Sequence, residues 1–95
     1  MIEIRYAEQP HELKITGHAD YNSGQDIVCA GVSAITYALL QYLEDRGIQT
    51  DAGRKGASVI CSEDNKEVRT AFEMALTGYQ MIAEEYPDNV RVTIA

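Results

Sequence analysis

The residues of this sequence that could do covalent chemistry are His18 and Cys29, eleven positions apart on either side of a short polar stretch. A thiol attacks a carbonyl carbon as the thiolate, and a nearby base or a helix N-terminus favours the thiolate. Asp26 is a preferred N-cap residue, and an apolar helical pattern begins directly after it. Cys29 is therefore predicted in the first turn of a helix, as a nucleophile that His18 could activate.

The elements that must position these residues follow from the apolar periodicity. Alternating apolar and polar residues predict strands, and apolar residues at steps of three and four predict helices. Gly47 ends the first helical pattern and Pro87 ends the second. The predicted order is β-β-α-β-β-α-β, with elements at residues 2–6, 13–18, 27–46, 48–52, 57–61, 68–86 and 90–94, so that His18 is the last residue of the second strand.

The length and composition predict one domain over residues 1–95. A chain of 95 residues, of which 45% are hydrophobic, can build one modest core. The simplest arrangement is an α+β two-layer sandwich, with both helices packed on one face of a mainly antiparallel sheet. The other face of the sheet would stay open, which favours a homodimer.

The charge balance restricts the partners. With 15 acidic and 8 basic residues the net charge is -7, which argues against a nucleic-acid or anionic membrane surface and suits a basic partner. We expect a soluble, cytoplasmic protein, because there is neither an N-terminal signal nor a long apolar run. No cofactor or metal is expected: His11, His18, Cys29 and Cys61 could suffice in number for zinc, but they lack the short spacing of a zinc knuckle.

Two segments carry a resemblance to a known family. Residues 17–19 (Gly-His-Ala) and 24–34 (Gly-Gln-Asp-Ile-Val-Cys-Ala-Gly-Val-Ser-Ala) resemble the bacterial ribosomal-processing cysteine protease family, Prp. The resemblance implies an endopeptidase that removes a short N-terminal extension from ribosomal large-subunit protein twenty-seven. It also implies that His18 and Cys29 are the catalytic pair, and it places the family's aspartate at Asp26.

This resemblance implies acyl transfer, in which Cys29 attacks the peptide carbonyl, His18 transfers the proton, and water releases the acyl-enzyme. The backbone N–H groups of Cys29 and Ala30 are candidate oxyanion donors, since N–H groups in a first turn are unpaired. Asp26 could either cap the helix or hold the imidazole of His18, and the cap is favoured. The substrate-contact candidates are four residues of the polar loop, namely Tyr21, Asn22, Ser23 and Gly24.

Other interpretations of the same residues stay open. A lone cysteine near a helix start is often a small buried core residue. The chain could then be a non-catalytic module that binds a peptide or protein during ribosome assembly, with an ordinary thiol at Cys29. Cys61, on an apolar strand, is predicted to be buried and inert, and His11, in a turn that contains proline, is predicted to be solvated.

Overall fold

A computed structural model describes residues 1–17, 26–52 and 58–95 of the chain. The elements in this part are β1 (Ile2–Ala7), β2 (His11–Thr16), α1 (Ile27–Asp45), β3 (Asp51–Ala52), β4 (Ser58–Cys61), α2 (Lys66–Glu85) and β5 (Val90–Ile94). Their order, β-β-α-β-β-α-β, confirms the order predicted from the apolar periodicity.

The strand predicted at residues 48–52 is shorter than expected. Gly47 has a φ of +69°, and the N–H groups of Gly47 and Ile48 donate to the carbonyl oxygens of Glu44 and Leu43. These bonds satisfy the last carbonyls of α1. Since the N–H of Ile48 closes the helix, it cannot join a sheet, and β3 begins only at Asp51.

The strands form one sheet in the order β3-β4-β2-β1-β5. The pairs β1–β2, β2–β4 and β3–β4 are antiparallel, whereas β1 and β5 are parallel. Ile4 on β1, which lies between β2 and β5, is opposite Ile15 on β2 and Val92 on β5, so one face of the sheet is apolar. The sheet is therefore mainly antiparallel, as predicted.

Both helices contribute to a single core with this apolar face. Ile4, Leu13 and Val59 from the sheet are buried with Val32 of α1 and Phe72 of α2. The opposite face of the sheet carries charged side chains, namely Glu3, Arg5, Glu12, Lys14 and Arg91. The structure is thus an α+β two-layer sandwich, in agreement with the predicted fold class.

The two helices cross closely at small residues. A Cβ atom at Gly78 would lie 2.8 Å from Cδ1 of Ile35, and one at Gly31 would lie 3.3 Å from Cδ1 of Ile82. The buried hydroxyls of Thr36 and Tyr79 are hydrogen-bonded at 2.6 Å, also across this contact. Burial raises the pKa of Tyr79 to about 12. These contacts determine where the N-terminus of α1 lies relative to α2.

Helix α1 is a long apolar run, contrary to the expectation from the sequence that the chain contains none. Over 18 residues its mean hydropathy is 1.4, so by length and composition it could cross a membrane. In this fold α1 is instead a core helix, whose buried residues are Val28, Val32, Thr36, Leu39 and Leu43. This burial accounts for one apolar face of α1, whereas the residues of its other face are also uncharged as far as Leu43.

Candidate active site

Cys29 is the third residue of α1, as the capping pattern predicts. Asp26 is the N-cap, with extended backbone angles (φ -83°, ψ 92°), and its Oδ1 atom accepts a hydrogen bond from the Cys29 N–H at 2.9 Å. Cys29 forms no disulfide with Cys61 and is half-buried. It therefore lies in the first turn, where the positive end of the helix dipole favours a negative charge.

The structure shows Asp26 in the first of its two proposed roles, as the helix cap. The second role, orienting the imidazole of His18, involves a residue outside the part of the chain that the structure describes. The substrate-loop candidates Tyr21, Asn22, Ser23 and Gly24 also lie outside it. Their roles, and that of His18, remain predictions from the sequence.

The two N–H groups predicted to bind an oxyanion, those of Cys29 and Ala30, both donate hydrogen bonds to Asp26. The Cys29 N–H donates to the carboxylate of Asp26, and the Ala30 N–H donates to the Asp26 carbonyl oxygen at 3.1 Å. The prediction that these two groups are unpaired is therefore wrong for this structure. The physical reason is that one N-cap residue accepts two bonds, one with its side chain and one with its backbone.

Gly17, the residue directly before His18, has a constrained backbone conformation. Gly17 has a φ of +89°, a conformation that L side chains rarely adopt. A Cβ atom at this position would overlap the carbonyl oxygen of Met1. The group that approaches Gly17 is thus the residue directly before β1 of the same chain. Nearby, the Ile2 N–H donates to the Asn89 carbonyl oxygen at 2.8 Å, which joins β1 to the turn after α2.

The second cysteine has a different environment. Cys61 is fully buried on β4, and its thiol donates to the carbonyl oxygen of Glu63 at 3.6 Å. Burial raises the pKa of the Cys61 thiol, which disfavours the thiolate. The prediction that Cys61 is buried is confirmed, and Cys29 is the better placed nucleophile of the two.

His11 is buried, so the prediction that it is solvated is wrong. It is 3% exposed, lies at the start of β2 opposite Cys61, and stacks on Phe72 with ring centroids 5.0 Å apart. Its Nδ1 atom is hydrogen-bonded to the Tyr6 hydroxyl, and its Nε2–H donates to Asp64 Oδ1 at 3.0 Å. The sequence offers no local signal for this burial, because Asp64 and Phe72 lie more than fifty residues away.

The surroundings of His11 shift the pKa values of its two hydrogen-bond partners, Asp64 and Tyr6. The hydrogen bond from His11 is the main cause of the lowered pKa of Asp64, and burial raises the pKa of Tyr6 to about 12. Tyr6 ends β1 and His11 begins β2, whereas Gly17 and the start of β1 lie at the other end of this hairpin. The His11 cluster therefore lies at the opposite end of the hairpin from Gly17.

Three of the four possible metal ligands, namely His11, Cys29 and Cys61, lie in the described part of the chain. Within residues 1–17, 26–52 and 58–95, no group of three or more His, Cys, Asp or Glu side chains is arranged to hold a metal ion. His11 and Cys61 face each other on β2 and β4, whereas Cys29 begins α1.

The chain is similar to proteins of one known family. Residues 1–91 match the family model described as cysteine protease Prp. The ribosomal processing cysteine protease Prp of Mycoplasma pneumoniae is 31% identical over 87 residues, which cover 88% of this chain and 87% of the relative. The protein of the same name from Staphylococcus aureus is 35% identical over 88 residues, covering 85% and 83%.

Two solved structures of the S. aureus protease are similar over their whole length. The complex with a covalently linked product peptide has a TM-score of 0.86 and 29% identity, with 100% of both chains covered. The complex with a substrate peptide has a TM-score of 0.80 and 28% identity, again with full coverage of both chains. The similarity therefore also includes the second half of the chain, beyond the two segments that carry the sequence resemblance.

Proposed function

Because the chain belongs to the Prp family of cysteine proteases, and is thus a cysteine peptidase for ribosomal protein processing, we propose that it removes the N-terminal extension of ribosomal large-subunit protein twenty-seven. The observation that carries the catalytic assignment is the position of Cys29 in the capped first turn of α1. Cys61, the only other cysteine of the sequence, is fully buried.

In the proposed mechanism Cys29 is the nucleophile and His18 is the general base. The imidazole of His18 takes the thiol proton as the sulfur attacks the scissile carbonyl, and then gives a proton to the leaving amine. Water hydrolyses the resulting thioester and releases the acyl product. The carboxylate of Asp26 fixes the first turn through its bond to the Cys29 N–H.

The proposed substrate fits the charge of the chain. A net charge of -7 attracts a basic ribosomal protein and speeds its encounter with the enzyme. We place the substrate contacts at Tyr21, Asn22, Ser23 and Gly24, because these polar residues lie between the two catalytic residues in the sequence. Such a substrate would place the enzyme in the cytoplasm, with no direct contact to nucleic acid or to a membrane.

The outer surface of the helices supports a homodimer. No charged residue occurs between Ile27 and Leu43 of α1. The exposed face of this helix is therefore uncharged as well, and it includes Tyr37, which is 54% exposed. Met74 on the neighbouring face of α2 is 78% exposed beside an apolar groove, which is lined by Ile35, Ala38, Leu39, Tyr42, Ala71, Ala75 and Gly78. Because each copy has a net charge of -7, an uncharged contact surface keeps the repulsion between two copies lower than a charged one would. The open face of the sheet, where the sequence analysis favoured a dimer contact, is charged and less suited to this contact.

The experiment that tests the function is cleavage of a peptide spanning the extension junction of ribosomal protein twenty-seven. We expect cleavage by the wild type and by Cys61→Ala, and loss of cleavage in Cys29→Ala, Cys29→Ser and His18→Ala. Cleavage by Cys29→Ala would contradict the nucleophile assignment. A wild-type chain that binds this peptide without cutting it would favour the binding-module alternative.

A further inference from the structure

A row of polar side chains crosses the open face of the sheet, the face opposite the helices. In the register of the strands, Lys14 on β2 lies between Ser58 on β4 and Arg5 on β1. Arg5 in turn lies opposite Thr93 on β5. The row thus has an ammonium and a guanidinium side by side, with a hydroxyl at each end, and all four groups can donate hydrogen bonds to an anion.

Arg5 differs from the other basic residues of this face because it has no carboxylate partner. Lys14 pairs with Glu12 at 3.5 Å. Arg91 pairs with Glu3. Arg5 forms no ion pair within residues 1–17, 26–52 and 58–95, and its direct neighbour Lys14 has the same charge. Like charges directly opposite each other on paired strands are destabilising, so a carboxylate supplied from outside the chain would relieve this repulsion.

A cleft adjoins Arg5 on the same face. Its volume is about 560 Å³, and its lining includes Arg5, Lys14 and Thr93 together with Ala7 and Ala95. Ala7 follows Arg5 by two residues and so lies beside it, where a small side chain leaves room for a ligand. The cleft is separated by the sheet from the layer of helices, and therefore from Cys29 at the start of α1.

Two acidic residues restrict what this cleft can bind. Glu3 precedes Arg5 by two residues on β1, and Glu12 precedes Lys14 by two residues on β2. Since β1 and β2 are antiparallel, the two carboxylates lie on opposite sides of the row. A nucleic acid or a polyacidic tail carries a charge at every unit and would meet these carboxylates as well as the cations. A single acidic side chain between uncharged residues would meet only the cations.

Charge also argues against a second copy of this chain on the same face. A two-fold axis along the row would place Arg5 against Arg5 of the other copy, and an axis between β1 and β2 would place it against Lys14. A free carboxylate or phosphate would bind weakly, because an exposed ion pair contributes little by itself. We propose that the cleft binds an extended segment of a partner protein, through one acidic side chain flanked by uncharged residues.

NMR titration of the ¹⁵N-labelled wild-type chain tests this proposal with pools of synthetic decapeptides. One pool has Glu at a central position and Ser, Thr, Ala or Val elsewhere, and a second has Gln in place of Glu. We expect the Glu pool to shift the amide signals of Arg5, Lys14 and Thr93, and to bind at least about fivefold more tightly than the Gln pool, since a charged partner forms the stronger hydrogen bonds. Salt at about 0.5 M should narrow this difference because the ion pair is exposed.

Matched variants show whether Arg5 is responsible. Arg5→Gln should abolish the preference for Glu over Gln. Lys66→Gln removes one positive charge from α2 and should keep this preference, since Lys66 is also exposed and has no ion pair in the part of the chain described. Equal binding of the two pools by the wild type would overturn the proposal. Tighter binding of decaglutamate, or the same amide shifts with inorganic phosphate, would also overturn it, because either would show a general anion surface.

Two further measurements on Arg5→Gln separate this proposal from the proposed function and from a structural role. Cleavage of the junction peptide should match that of the wild type, because the sheet lies between the cleft and Cys29. The urea midpoint should equal or exceed that of the wild type, because the variant removes the charge opposite Lys14. Loss of cleavage or a lower midpoint would contradict the proposal. Failure of the wild type to cleave would refute only the proposed function.

Discussion

The carboxylate of Asp26 accepts a hydrogen bond from the backbone N–H of Cys29 at 2.9 Å, so the same residue begins the helix and adjoins the nucleophile. Asn65 makes the equivalent bond to Val68 in α2 at the same distance. The two caps should stabilise the fold to a similar degree. Only the first should also affect catalysis, because only α1 carries a thiol in its first turn.

Loss of the cap should be measurable in the free energy of unfolding. We expect Asp26→Ala and Asn65→Ala each to lower it by about 1 kcal/mol in urea titrations, since each leaves a first-turn N–H without its acceptor. Asp26→Asn keeps an acceptor oxygen and should unfold close to wild type. If Asp26→Asn keeps its stability but loses most of its peptidase activity, the charge of Asp26 acts on catalysis through His18, and the cap alone does not explain this residue.

Gly17→Ala should destabilise the protein more than Gly47→Ala does. Both glycines have positive φ values, but an added Cβ overlaps the Met1 carbonyl only at Gly17 and meets nothing within 4 Å at Gly47. We expect about 1 kcal/mol of destabilisation for Gly47→Ala, from backbone strain alone, and a larger loss for Gly17→Ala. Urea unfolding measures both, and equal losses would show that β1 and the end of β2 separate easily.

Gly17→Ala should also reduce peptide cleavage under conditions in which the variant remains folded, because Gly17 directly precedes His18 in the sequence. Gly47→Ala, in the same assay, should cleave as wild type does. Unchanged turnover in folded Gly17→Ala would show that the path of the chain at Gly17 does not determine the position of the base.

The link between His11 and Asp64 should make stability depend on pH. The hydrogen bond from His11 lowers the pKa of Asp64 below its ordinary value of 3.8. A carboxyl group whose pKa is lower in the folded state stabilises the fold above its unfolded pKa, and this contribution is lost as the pH falls through the folded value. We therefore expect Asp64→Asn to be less stable than wild type at neutral pH, and the difference to vanish in strong acid.

Thermal unfolding of the two proteins between neutral pH and strong acid measures this effect. Asp88→Asn is a suitable control, since Asp88 is exposed in the turn after α2 and has no ion pair within the described part of the chain. A difference between wild type and Asp64→Asn that stays constant with pH would contradict the linkage.

A charge placed on the helix surface should weaken the proposed homodimer. Met74→Glu adds a negative charge beside the uncharged groove, and two copies would bring these charges together. We expect sedimentation equilibrium to show at least a tenfold weaker dimer. Thr93→Glu adds the same charge to the open face of the sheet and should leave the dimer unchanged. The opposite result would place the contact on the sheet.

The sequence by itself determined the features that depend on neighbours three or four residues away. The cap at Asp26 and the place of Cys29 in the first turn both follow from the helical repeat, which is a local property. The order of the elements could be predicted in the same way, since alternation and helical spacing are read within single segments. The family resemblance also lay in two short runs, residues 17–19 and 24–34.

Only the tertiary structure decided what depends on residues far apart in the chain. The burial of His11 needs Phe72 and Asp64, and the constraint on Gly17 needs the Met1 carbonyl. The parallel pairing of β1 with β5 likewise joins the two ends of the chain. Such contacts form because packing a common core brings distant segments together, and no pattern within one segment records which partner it will meet.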